Sequence, residues 1–381
     1  MTMLRKRLAS AWQAQRLYIL LAISIVLFVA VYVLFPAQSP TSSRYPTPLP
    51  TALPSLTRLT NDLSADTAPA WSPDGTRLVY YSLRNLREST LRLMQADGSD
   101  SRQITALSST PGQITWLPDG TRITLGMAGG IHTVNVDNGQ IMRVISEQEI
   151  AALEFAWSPD MRTIVLISDR DGTPDVYLFR PSDSRMMRLT DNHGWTQNIL
   201  WSPDGRLIAF HSTRDGNVAI YTLDVACAMQ RGLDAACLAR LTDTSAENRE
   251  PAWSPADVRG KRIAFTSLRD GNPEIYLMDA DGAHSMRLTK SQNVDWLPVW
   301  SPDGEYIAFL SSPDFESGVH NDIFIVRPDG SGLRRLTNDG LVNQITWSPD
   351  SRRIAFVTFR DSNLALCAPC NTEIYTVAVE N

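Results

Sequence analysis

The sequence predicts an all-β protein, a seven-bladed β-propeller of four-stranded antiparallel blades behind an N-terminal transmembrane helix. Three observations carry this. First, one short word recurs seven times: Trp71-Ser-Pro-Asp-Gly75, Trp116-Leu-Pro-Asp-Gly120, Trp157-Ser-Pro-Asp-Met161, Trp201-Ser-Pro-Asp-Gly205, Trp253-Ser-Pro-Ala256, Trp300-Ser-Pro-Asp-Gly304 and Trp347-Ser-Pro-Asp-Ser351. The tryptophans step by 45, 41, 44, 52, 47 and 47 residues, a period that marks stacked copies of one supersecondary unit. Second, each interval holds short apolar runs punctuated by Asp-Gly turns, the pattern of an antiparallel meander. Third, residues 17–35 form an uninterrupted apolar run.

In chain order, residues 1–16 are a short tail carrying Arg5, Lys6, Arg7 and Arg16 and no acid. Leu17 to Phe35 is long enough, at about 1.5 Å per residue, to cross a hydrocarbon core of about 30 Å. A cleaved signal peptide has a shorter apolar region and a small-x-small site, which Phe35-Pro36-Ala37-Gln38 does not offer. The basic flank places residues 1–16 in the cytoplasm and the rest outside, a single-pass membrane protein. Residues 36–55 are rich in Pro, Ser and Thr and read as an extended spacer. Residues 56–381 are the propeller. Of 35 basic and 41 acidic residues, four basic ones lie before the spacer, so the remainder is strongly acidic. Nucleic acid is therefore excluded as a partner, since phosphate binding needs clustered Lys and Arg.

The fifth copy shows one unit most clearly. Strands are expected at residues 251–254, 263–267, 274–278 and 286–289, with turns at Arg269-Asp-Gly271 and Asp279-Ala-Asp-Gly282. Ser-Pro-Asp-Gly matches a type I turn whose Gly takes positive φ in a bulged hairpin. Met161 and Ser351 must take that conformation at a cost of about 1 kcal/mol each. The Trp closing each first strand should pack on the neighbouring blade. Second strands such as Ile164-Val-Leu-Ile167 are apolar on both faces, as in a sheet sandwiched between two others.

Ring closure is also legible. Thr57-Arg58-Leu59-Thr60 repeats the fourth-strand words Arg188-Leu-Thr190, Arg240-Leu-Thr242, Arg287-Leu-Thr289 and Arg335-Leu-Thr337, yet stands before the first blade. The seventh copy ends at Ile374-Tyr-Thr-Val377 without a fourth strand. Residues 57–60 are expected to supply it. Taken together, the words PAWSPDG, IAF, SxRDG, IYxMDADG and RLT resemble the repeat of the TolB-type β-propellers, periplasmic proteins of the Tol–Pal envelope system. The resemblance covers about residues 55–381 and is specific for fold rather than for task. TolB has six repeats behind an α/β domain; seven repeats behind an anchor imply a relative with another task. Similar repeats occur in the propellers of prolyl-oligopeptidase-type peptidases and in lyases of pectin fragments.

No catalytic set emerges from the residues. A prolyl-oligopeptidase-type enzyme needs a Gly-x-Ser-x-Gly elbow, which is missing from the sequence. The five histidines, His132, His193, His211, His284 and His320, do not recur in phase, so neither a metal nor another cofactor is expected. The Asp97-Gly-Ser-Asp100 and Asp279–Gly282 segments hold alternating acids but lack a calcium loop's closing Glu, and read as turns. Cys227 with Cys237, in an insertion after the third strand of blade 4, and Cys367 with Cys370, in blade 7, are expected as two local disulfides of an oxidising compartment. A redox Cys-x-x-Cys is the alternative for Cys367 and Cys370.

A non-enzymatic module that binds a protein or glycan at one propeller face is therefore the expected function. The connections between the fourth and first strands and between the second and third share a face. His193, Trp195, Arg249, Glu250, Asp295 and Trp296 on them are the candidate ligand residues. Trp195 and Trp296 are either interface anchors or blade-edge packing. A carbohydrate-active lyase or hydrolase built on Glu250, Asp295 and His193, and a sensory ectodomain, are the alternatives.

Overall fold

The computed structural model describes residues 53–379 except 63, 85–87, 110–112, 128–129, 147–151, 192–193, 257–260, 314–320, 339 and 362–370. Seven four-stranded antiparallel sheets are arranged as blades, and six are meanders of consecutive strands. The seventh joins Val342–Trp347, Arg353–Thr358 and Glu373–Ala378 to Leu56–Arg58, the first strand of the chain. Leu56 pairs with Val377 and Arg58 with Tyr375, so the predicted borrowed strand closes the ring. Leu17 to Phe35 lies outside the described residues, and among these no helix is long and apolar enough to cross a membrane.

The recurring word does what its chemistry predicts. In the first copy the Gly75 N–H donates to Ser72 O at 2.8 Å, and Gly75 has φ +70°. Met161 at +57° and Ser351 at +60° adopt the same left-handed backbone without a glycine. Ser72 Oγ donates to Asp74 Oδ1 and accepts the Arg77 N–H, stapling the hairpin across its mouth. Each Trp reaches the preceding blade. The indole N–H of Trp116 donates to Ala70 O (2.9 Å), that of Trp201 to Ala156 O (3.1 Å) and that of Trp347 to Val299 O (3.1 Å).

The core lies between blades. One apolar cluster joins Val165 and Ile167 of blade 3 to Phe210 and Tyr221 of blade 4, and another joins Ala308 and Ile325 of blade 6 to Phe356 and Tyr375 of blade 7. The second strand Ile307–Ser312 is buried at every position, because each sheet is covered on both sides. Two faces result. The turn face carries the first-to-second and third-to-fourth connections; the loop face carries the other two.

Candidate functional site

Most of the charged residues in the repeat serve the blade itself. Glu274 opens the third strand of blade 5 with no side-chain exposure and takes Arg287 Nη2 at 2.6 Å and Thr289 Oγ1. Thr289 Oγ1 also accepts the Ile275 N–H at 3.0 Å. The same triangle recurs as Asp175, Arg188 and Thr190, as Asp322, Arg335 and Thr337, and as Glu373, Arg58 and Thr60. The turns before the third strands, Arg-Asp-Gly in blades 3, 4 and 5 and Arg360-Asp361 in blade 7, add a further tie. Tyr177 OH donates to Asp171 at 2.7 Å and Tyr221 OH to Asp215 at 2.8 Å, with Tyr276–Asp270 and Tyr375–Asp361 alike. The arginines of these turns lie over the tyrosines, Arg269 with its guanidinium 4.6 Å from the Tyr276 ring. These groups lock outer strands to inner ones.

The loop face around the channel differs from blade to blade. Trp195 stands at the head of the first strand of blade 4 (Thr196–Trp201) and is 42% exposed. Its N–H donates to Thr213 Oγ1 and its carbonyl accepts the Thr213 N–H, both at 2.9 Å. A side chain at Gly194 would meet Thr213 and Arg214 at 2.8 Å, so the approach to Trp195 is pressed onto the neighbouring connection. The indole lies against His211, ring centroids 5.4 Å apart. His211 is buried in the second strand, and its Nδ1 faces the Glu250 N–H of blade 5 at 3.3 Å. Burial, aided by Arg249, pushes its pKa down to about 4, so the ring is neutral at pH 7 and carries its proton on Nε2.

Glu250 occupies a bulge at φ +56°. Its carboxylate points into the wall, where Oε2 accepts Thr266 Oγ1 at 2.8 Å and the Leu297 N–H of blade 6 at 2.7 Å. Desolvation raises its pKa. Two other side chains three residues before a Trp make the same reach: Glu154 accepts the Ile199 N–H (3.3 Å) and Gln344 the Ala68 N–H (2.8 Å). These clasps tie blade 3 to 4, blade 5 to 6 and blade 7 to 1.

The predicted ligand residues therefore separate. Trp195 is exposed, and Arg249 is half-buried with Nη2 paired to Glu247. Asp295 is wholly buried and accepts Ser291 Oγ at 3.2 Å, so it is not on the surface. Trp296 is half-buried against the core between blades 6 and 7, with its N–H given to Asn321 Oδ1 at 3.3 Å; it is the blade-edge packer of the pair. His193 lies outside the described residues. Glu250 and Asp295 thus do not face a shared open site. Among the described residues no group of three or more His, Cys, Asp or Glu is placed to hold a metal ion. Cys227 and Cys237 form the expected disulfide, while Cys367 and Cys370 fall outside the described residues. A depression of about 480 Å³ on the turn face, lined by Arg262, Met286, Glu305, Arg327 and Asp329, lies on the opposite face from Trp195.

Sequence reasoning passed over His211, Glu154 and Gln344. His211 sits inside a strand word and shows no period of its own. The Trp−3 register of the other two was legible, but the bulge that turns the next blade's N–H toward them was not.

With the geometry in place, comparison adds ancestry. The model of the TolB beta propeller domain matches residues 90–234 and 231–373. The chain belongs to the TolB β-propeller family. An uncharacterised protein of Agrobacterium fabrum is 27% identical over 261 residues, 64% of this chain and 83% of that one. A TolB homologue of Chlorobium luteolum is 35% identical over 132 residues, 34% of this chain and 28% of that protein. The similarity thus spans little more than a quarter of the homologue's length. Among solved structures, an oligogalacturonate lyase in complex with manganese superposes with a TM-score of 0.69 at 12% identity, covering 88% of this chain and 96% of the lyase. At that identity the likeness speaks for the fold alone.

Proposed function

We propose that this TolB-family propeller is a non-enzymatic binding module of the cell envelope, tethered by Leu17–Phe35 with residues 1–16 in the cytoplasm and the propeller outside, and that its loop face takes a protein partner. The observation that carries the reading is the polarity of the closing strand. Leu56 pairs beside Val377, and the Val379 N–H donates to Arg352 O in the first-to-second turn of the same blade. The segment before residue 56 thus leaves from the turn-face end of blade 7. A tether entering there turns the loop face, with Trp195, away from the bilayer. In four blades an acid and an arginine of the repeat are meanwhile engaged in blade-locking triangles.

A bulky thiol adduct tests this at one exposed position on each face. On Lys290→Cys of the loop face, it should abolish capture of a protein from solubilised envelope by the full chain. On Glu305→Cys of the turn face, it should leave capture intact. The reverse pattern overturns the orientation, and turnover of a polysaccharide by the chain would replace binding with the lyase or hydrolase reading.

A further inference from the structure

Near the exposed Trp195, two buried N–H donors, on His211 and on Arg249 of the facing strand, have no hydrogen-bond partner among the described residues. His211 is 2% exposed; its Nδ1 faces the Glu250 N–H, and its Nε2 makes no hydrogen bond among the described residues. Arg249, next to Glu250, gives Nη2 to Glu247 while its buried Nε has none. A buried donor without an acceptor is costly, by about 1–3 kcal/mol, and here one lies on the second strand of blade 4 against the Trp195 ring and one on the facing first strand of blade 5, next to the Glu250 N–H that meets His211. Both are donors. What complements them is an acceptor, and an anionic oxygen beside a guanidinium is the strongest one. The indole adds a flat apolar wall whose backbone is fixed to Thr213.

We infer that blade 4 carries a carboxylate-binding notch: a peptide carboxylate accepts from His211 Nε2–H and Arg249 Nε–H while the adjoining apolar side chain lies on Trp195. The inference rests on the binding-module reading and gives it a ligand class. A rotamer change of Trp195 opens the path, a movement common at interfaces that form without backbone change. A peptide suits the notch better than a sugar. A sugar hydroxyl can accept from these donors but must also place its own O–H, and the neighbouring carboxylates are engaged, Glu250 with Thr266 and Leu297 and Glu247 with Arg249.

The test uses the full chain with 15N-labelled histidine, the His211 imidazole signal being assigned by its loss in His211→Asn. That substitution retains an acceptor for the Glu250 N–H. Four probes are titrated: N-acetyl-Leu-Leu with a free carboxylate, its C-terminal amide, N-acetyl-Asp-Leu amide and glucuronate. A carboxylate peptide should shift the His211 signal saturably, the amide should bind about tenfold or more weakly, and Trp195→Ala should weaken the peptide by a similar factor. Saturable binding of N-acetyl-Leu-Leu and its amide with equal affinity, no binding of either acidic peptide, or undiminished binding to a folded Trp195→Ala chain overturns the notch. Binding of glucuronate without the peptides overturns the peptide assignment. Comparing the two acidic peptides identifies the source, and binding of either supports the notch. Failure here with capture still blocked by the Lys290→Cys adduct refutes the notch and leaves the loop-face function standing.

Discussion

Asp66 shows what one misplaced polarity costs. It lies in the first strand of blade 1, wholly buried, and neither carboxylate oxygen makes a hydrogen bond of normal geometry. Desolvation raises its pKa from 3.8 to about 7, an effect that the nearby Ser82 and Thr60 hydroxyls only partly offset. Between about pH 4 and 7 the folded chain holds a proton that the unfolded chain releases, so stability falls as pH rises through that window and is level above it. The loss amounts to at most about 4 kcal/mol. Blade 5 places Asn248 in the same register, five residues before its Trp, and there the amide donates to Asp243 and Ala246 carbonyls. Asp66→Asn should therefore raise stability at pH 8 and flatten its dependence between pH 5 and 8, measured by urea unfolding. Parallel pH profiles for the two chains would show that Asp66 is already accommodated. At this scale the turns were legible, down to positive φ at Met161 and Ser351. The buried state of Asp295 and Glu250 was not, because it depends on partners in Ser291 of the same loop and Leu297 of the next blade.

Among elements, blade 4 combines a missing triangle, a lack that blade 2 shares with Gly130 at the head of its third strand, with a disulfide. Blades 3, 5, 6 and 7 each begin their third strand with an acid that holds the outer strand's Arg; blade 4 has Ala219 there. Arg240 is left with Asp215 at 3.6 Å, a pair whose side chains are nearly half exposed and so contributes little. In place of the triangle the chain runs through the helix Val225–Arg231, capped by Asp224, and a turn of 3-10 helix at Ala235–Cys237. The Cys227–Cys237 bond ties that excursion directly to the outer strand Leu238–Arg240. Replacing both cysteines by serine should cost about 2–3 kcal/mol, the usual scale for a short loop. Adding Ala219→Asp, which rebuilds the acid beside Arg240 and Thr242, should return part of it. Thermal unfolding with and without reductant checks both, and an Ala219→Asp chain that gains nothing in the serine background would sever the link. The sequence showed the cysteines and the insertion, but not the helix within it: a seven-residue helix is too short for a periodic signal, and is supported by its Asp224 cap and by the bond from Cys227 to Cys237.

On the scale of the whole ring, stability depends on one short strand from the other end of the chain. Arg58 and Thr60 complete the blade 7 triangle around Glu373, whose side chain is 4% exposed. Arg58→Ala leaves that carboxylate uncompensated and should lower unfolding free energy by about 2–3 kcal/mol, allowing for the partial exposure of Arg58. Arg240→Ala in blade 4 should lower it by less than about 1 kcal/mol. Equal losses in urea unfolding would mean that the closing blade bears no special load. Blade number and the borrowed strand could be read from the sequence because both follow from phase: seven words, and one Arg-Leu-Thr displaced to the front. What phase cannot supply is the pattern in which neighbouring blades are joined at the channel, since the three clasping side chains, Glu154, Glu250 and Gln344, recur in only three of the seven copies and are not one residue type.

Those clasps have an arithmetic consequence. They link blades in twos (3 with 4, 5 with 6, 7 with 1), and an odd number cannot be divided into couples. Blade 2 is the remainder. Its inner strand, Ile114–Trp116, is three residues long and is the one first strand whose pairing with the second shows no register shift. Among the described residues it therefore offers no bulged N–H to a neighbour. Blade 2 thus stands outside these clasps among the described residues, and other contacts hold it in the ring: Trp116 Nε1–H donates to Ala70 O of blade 1, and Trp157 Nε1–H of blade 3 donates to its Thr124 Oγ1.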